Sequence, residues 1–176
     1  MNINWSASNM SLTVGPEMKW VKPDPARQYY ELTDNSCILA SLEWMKPGSP
    51  DAVGIIGDRR LSLIRKGFFF HHTVIVDKAT GSELASFKFS MDKGELAFGD
   101  GGTFLWKFEG LKGSRWYFTT NIDSELLCFT VPEDRKRAAS REVATVEVLR
   151  SVDESLLLLL AVVGWYNIRG ILSSGL

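Results

Sequence analysis

Cysteine is scarce in this chain: Cys37 and Cys128 are the only two among 176 residues. Two thiols cannot build the framework of a disulfide-stapled secreted scaffold, and a single domain of this size, burying roughly 70% of its extended-chain surface, does not require one. A charge excess is also missing, with 20 Lys+Arg against 21 Asp+Glu. A general nucleic-acid binder carries a basic surplus, so no nucleic-acid partner is expected. Histidine is confined to His71 and His72. Neighbours on a strand point to opposite faces, so the two do not make one metal site. HExxH, paired CxxC, GxSxG, Walker A and a GxGxxG opening a helix are all lacking, and with them the common hydrolytic, nucleotide and dinucleotide chemistries. Cys128 alternates inside an apolar run, where the expected role is that of a small buried hydrophobe. The expectation is a non-enzymatic protein without catalytic residues, metal ligands or cofactor.

Met1 to Trp5 shows neither a positive n-region nor an apolar h-region, so a reduced, cytoplasmic compartment is expected. The Asn4-Trp5-Ser6 and Asn9-Met10-Ser11 sequons would then not meet the glycosylation machinery. Prolines at 16, 23 and 25 interrupt the first stretch. Residues 1–26 read as a loosely ordered arm, with room for one strand around Leu12–Val14.

From Arg27 onward, short apolar or alternating runs are broken roughly every eight to twelve residues by Gly, Asp, Asn or Pro. Eleven strands are expected, near Gln28–Leu32, Ile38–Trp44, Val53–Ile56, Leu61–Arg65, Thr73–Val76, Glu83–Ser90, Leu96–Phe98, Thr103–Phe108, Trp116–Thr120, Leu126–Val131 and Ala144–Leu149. Phe104, Trp106 and Phe108 alternate with Thr103, Leu105, Lys107 and Glu109, and Trp116 and Phe118 oppose Arg115, Tyr117 and Thr119. That is the period-two pattern of a sheet with one buried face. Asp92-Lys93-Gly94, Gly99-Asp100-Gly101-Gly102 and Gly110-Leu111-Lys112-Gly113 provide turn residues for tight hairpins. The pattern is an antiparallel meander with no room for βαβ crossovers.

The end of the chain differs. Ser151-Val152-Asp153-Glu154 reads as a capping box, and Arg169-Gly170 as the matching exit, framing a helix over 152–169. Within it Leu156 to Tyr166, LLLLLAVVGWY, is apolar on every side, so the helix must be enclosed. Ser155 to Ile168 spans 14 residues, short of the roughly 20 that a bilayer core needs, which favours burial in protein over a C-terminal tail anchor or an oligomer contact. A sheet closed on itself would surround the helix and remove its own free edges. A barrel wide enough to hold a helix needs more than eight strands. The expected fold is therefore mainly β: a closed antiparallel barrel of about twelve strands over 27–176, enclosing the hydrophobic C-terminal helix.

Two segments carry a family resemblance. Leu61 to Gly67 (LSLIRKG), followed by Thr73-Val-Ile-Val-Asp77 and Gly81 to Phe87 (GSELASF), is similar to the basic strand and hairpin of the tubby C-terminal-like superfamily, which includes the tubby proteins, phospholipid scramblases and LURP-one-related proteins. Glu154 to Leu172 resembles its terminal helix, and the likeness of pattern and element order runs from Arg27 to Leu172. It implies a twelve-stranded barrel threaded by the helix. It also implies a phosphoinositide site, whose Lys/Arg pair matches Arg65 and Lys66. The chain has no Asp-x-Asp-x-Asp loop before the helix and no cysteine cluster, which sets it apart from the calcium-activated scramblases.

Arg59, Arg60, Arg65 and Lys66 flank one expected strand, so alternate members could converge on one face as a lipid- or phosphate-binding site, or stand as solvated edge charges. Phe68-Phe69-Phe70 cannot all face one side of a strand; the run reads as core packing under a loop, or, if it projects beside Arg65 and Lys66, as a contact suited to a membrane interface. A second basic run, Arg135-Lys136-Arg137 with Arg141, follows Pro132 and reads as a solvated loop. The functional expectation is peripheral association with anionic phospholipid headgroups. A soluble module that binds a protein partner, or a tail-anchored membrane protein, is the alternative, and no obligatory oligomer is inferred.

Overall fold

The computed structural model describes residues 15–35, 37–67, 72–90, 93–109, 114–120, 124–132 and 141–173. Phe68–His71, Arg135–Lys136–Arg137 and Leu12–Val14 lie outside them. The strands are β1 (Glu17–Val21), β2 (Tyr29–Asp34), β3 (Cys37–Trp44), β4 (Ala52–Ile56), β5 (Arg59–Lys66) and β6 (His72–Asp77). They continue with β7 (Glu83–Ser90), β8 (Lys93–Phe98), β9 (Thr103–Glu109), β10 (Ser114–Thr119), β11 (Glu125–Val131) and β12 (Glu142–Val148), and among the described residues one helix, α1 (Glu154–Ser173), follows them. Each strand pairs antiparallel with its sequence neighbour, and β1 closes the ring by pairing with both β2 and β12.

β1 places Glu17–Val21 in the barrel wall, where the sequence reading puts them in a loosely ordered arm. Glu17–Val21 alternates charge with bulk: Met18 and Trp20 are fully buried in the core, and Lys19 bridges Glu142 on β12 at 3.0 Å outside it. Pro16 and Pro23 bound the strand rather than interrupt it. Closure leaves no free sheet edge.

α1 fills the lumen. Every residue from Leu156 to Ile168 is buried, and the helix stacks Trp165 on Trp20 (centroids 5.9 Å) and Tyr166 on Trp44 (5.8 Å). At 20 residues it is longer than expected, and long and apolar enough by composition to cross a bilayer. Both ends differ from the sequence reading. The N-cap is Asp153, whose carboxylate accepts from the Leu156 amide at 3.2 Å, so the Ser151 box is out of register. Arg169 does not end the helix, which runs through Gly170 to Ser173.

The rest of the lumen is packed with aromatic rings, with Phe129 lying against the helix itself. Trp106 sits 4.7 Å from Phe118 and 5.5 Å from Phe129, with Phe87 edge-on to Trp106 at 6.2 Å. Two details depart from simple alternation. Phe108, at the rim end of β9, is exposed. Tyr117 is buried on the outer face, under Arg115 (5.5 Å from its ring) and bonded to Glu109 at 2.9 Å. The Gly99–Gly102 connection is a tight hairpin in which Gly101 takes φ 89°. Gly94, by contrast, is inside β8, where an added β-carbon would meet the Phe87 ring at 2.8 Å.

Candidate functional site: the barrel mouth at the helix exit

The meander sends β3, β5 and β7 to end at one rim of the barrel, where β4, β6 and β8 begin. α1 enters the lumen at the opposite rim, after β12, so its last turns emerge here. A cavity of about 500 Å³ opens at this mouth, within the range of small-molecule sites.

β5 brings Arg65 to it. Leu61 and Leu63 face inward and are fully buried, so Arg65, two residues further on, takes the inward parity at the rim and lines the cavity. Its amide donates to Asp51 Oδ1 at 3.1 Å, which ties the strand end to the loop between β3 and β4. That loop supplies Lys46, and α1 supplies Arg169. Three cations from three elements thus line one cavity, and no carboxylate lines it among the described residues. Glu43, close by on β3, is held by Arg27 at 2.5 Å.

Aromatic rings set the positions of these groups. Tyr30 lies edge-on to Trp44 (5.8 Å) and to Trp165 (5.6 Å), and Arg169 and Lys22 stand over its ring at 5.4 and 5.7 Å. Burial raises the Tyr30 hydroxyl above its ordinary pKa, and the Arg169 charge opposes that rise. The Tyr166 hydroxyl donates to the Pro50 carbonyl at 2.6 Å and pins the helix exit to the loop. Its pKa is likewise raised by burial, against a hydrogen bond from Thr73 and the charge of Arg65. Asn167 donates to Val163 O at 2.9 Å, capping a carbonyl within its own helix. The cations also offset the negative end of the helix dipole. With three cations lining it, the Asp51 carboxylate tied to the Arg65 amide beside them and aromatic walls below, the cavity suits an anion that carries apolar surface.

The four basic residues singled out from sequence do not converge. Arg59 and Arg65 are six residues apart on β5, roughly 20 Å at strand rise. Arg59 sits at the far rim in a 2.5 Å ion pair with the buried Asp77. Arg60 is exposed there, and its carbonyl accepts from the Lys78 amide. Arg65 and Lys66 share the helix-exit rim, with Lys66 on the outer face. Sequence reasoning missed Lys46, and it took Arg169 for a helix terminus. Nothing in sequence spacing joins residues 46, 65 and 169, and only closure of the barrel around α1 does so.

No family model matches the chain, and the searches of curated proteins and of solved structures return no match.

Proposed function

We propose that this chain is a non-enzymatic, tubby-like module that associates peripherally with anionic membrane lipid, a phosphoinositide headgroup in particular, from the cytoplasmic side. The observation that carries the reading is the pair Arg65–Lys66 ending β5, exposed, on the rim where Lys46 and Arg169 also gather. Guanidinium and ammonium groups bind phosphate by charge-assisted hydrogen bonds, and a guanidinium engages two oxygens at once. The exposed Met45 beside Lys46 adds an apolar contact of the kind that enters a headgroup layer. Arg59 and Arg60 belong to the opposite rim, so the reading centres on Arg65 and Lys66.

Liposome co-sedimentation tests it. The chain is expected to sediment with vesicles containing phosphoinositide, less so with neutral ones, and to be released as salt screens the charges. The double variant Arg65→Ala/Lys66→Ala is expected to lose at least tenfold in affinity. Equal, salt-insensitive binding by that variant overturns the assignment.

A further inference from the structure

We infer that the cavity at the helix exit binds one amphiphilic anion, a molecule with a single phosphate or carboxylate head on an apolar body. The inference rests on the anion-binding reading of this rim, but it does not require a bilayer.

The cavity is built for both halves of such a ligand. Lys46, Arg65 and Arg169 come from the β3–β4 loop, the end of β5 and the last turns of α1. Arg169 stands over the Tyr30 ring at 5.4 Å, which holds its guanidinium at the cavity. Guanidinium and ammonium groups are charge-assisted donors to an anionic oxygen, and the cavity gathers three of them. The apolar half faces Trp44, Phe87 and Phe89, of which the two phenylalanines stack at 6.1 Å. An inorganic anion would leave these walls wet, whereas an alkyl or aromatic body would cover them.

One position allows the cavity to be plugged from within. Gly170 lines it, and a β-carbon added there meets no atom within 4 Å. Leucine at 170 starts from a β-carbon in open space, is expected to occupy part of the cavity, and is a better helix former than glycine.

Isothermal titration with alkyl phosphates below their micellar concentrations tests the inference on the full chain. Octyl phosphate is expected to bind saturably at one per chain, with affinity falling by up to about fourfold for each methylene removed. Inorganic phosphate and octanol are each expected to bind at least tenfold more weakly. Gly170→Leu is expected to lose at least tenfold for octyl phosphate without a fall in Tm, and Lys46→Glu, at an exposed position, to lose as much. Absence of saturable binding overturns the inference, as does inorganic phosphate binding as tightly as octyl phosphate, or either variant binding as the native chain does. Vesicle sedimentation separates this inference from the membrane reading, because Gly170→Leu keeps Arg65 and Lys66. Vesicle binding without octyl phosphate binding removes the cavity ligand and leaves the membrane reading. Octyl phosphate binding without vesicle binding does the reverse.

Discussion

Gly164 of α1 lies directly against the ring of Phe129 on β11: a β-carbon at 164 would sit 2.3 Å from Phe129 Cζ. The ring cannot retreat, because Trp106 stands 5.5 Å and Phe118 6.3 Å from it. This contact sets how closely the helix approaches the wall. Alanine at 164 would gain about 1 kcal/mol in helix propensity, but overpacking a closed core costs about 1–3 kcal/mol or more, and at this separation the steric cost wins. Gly164→Ala is expected to lose about 2 kcal/mol in urea unfolding. Adding Phe129→Leu should recover part of it, with a coupling above about 0.5 kcal/mol. A fully stable Gly164→Ala chain would contradict the contact.

Asp77 and Arg59 make the second test. Burial alone would raise the Asp77 carboxyl, but the Ala79 amide, Arg59 and the Thr80 amide together hold it below its ordinary range. A carboxyl depressed on folding stabilises the native state fully above the unfolded pKa of about 3.9 and loses that contribution as pH falls through the lower folded value. Asp77→Asn is expected to cost about 1.5–3 kcal/mol at pH 7. The gap to the native chain should close in acid melts below pH ~4. A gap of the same size at pH 7 and in acid would refute the charge pairing.

Alkali should unfold the barrel from the tyrosines. Tyr30 and Tyr166 both have raised hydroxyl pKa values, first of all through burial. A tyrosine raised on folding leaves stability intact below its unfolded pKa near 10, and the contribution is lost as pH climbs through the folded value. Tyr166→Phe removes the bond to Pro50 and should cost about 1 kcal/mol at pH 7. The same variant should show a shallower loss of Tm above pH ~10. An unchanged alkaline slope would exclude Tyr166 as a contributor.

Removing the chain from Ser151 onward deletes α1. The five leucines 156–160 are all buried. At about 2–5 kcal/mol for each such side chain truncated, their loss alone matches or exceeds the roughly 5–15 kcal/mol that stabilises a domain. The remainder is expected to aggregate, or to show no cooperative melt by circular dichroism. A soluble, cooperatively folding 1–150 fragment would mean that the barrel does not depend on its helix.

Eleven of the twelve strands could be read from alternation and turn residues, because strand formation is local in its signals. β1 was legible in the same terms, since Met18 and Trp20 alternate with Glu17 and Lys19. The flanking prolines masked it, and what makes it a strand is pairing with β12, more than 120 residues away. The helix exit misled for a similar reason. Arg169 and Gly170 have the chemistry of a terminus, but the helix runs through both to Ser173, with Arg169 over the Tyr30 ring.

The site divides along the same line. The basic character of Arg65 and Lys66 is plain in the chain, because charge belongs to the residue. Their separation from Arg59 and Arg60 follows once the strand is known, because its rise puts the two pairs at opposite rims. Lys46 and Arg169, 123 positions apart, share a cavity only because the meander closes and the helix threads it. Hydrophobic pattern alone therefore determined a mainly β chain that must enclose its own terminal helix, since apolar surface has to be buried wherever it falls. Which side chains meet at the mouth was decided by ring closure and helix direction, long-range contacts that local patterning does not encode.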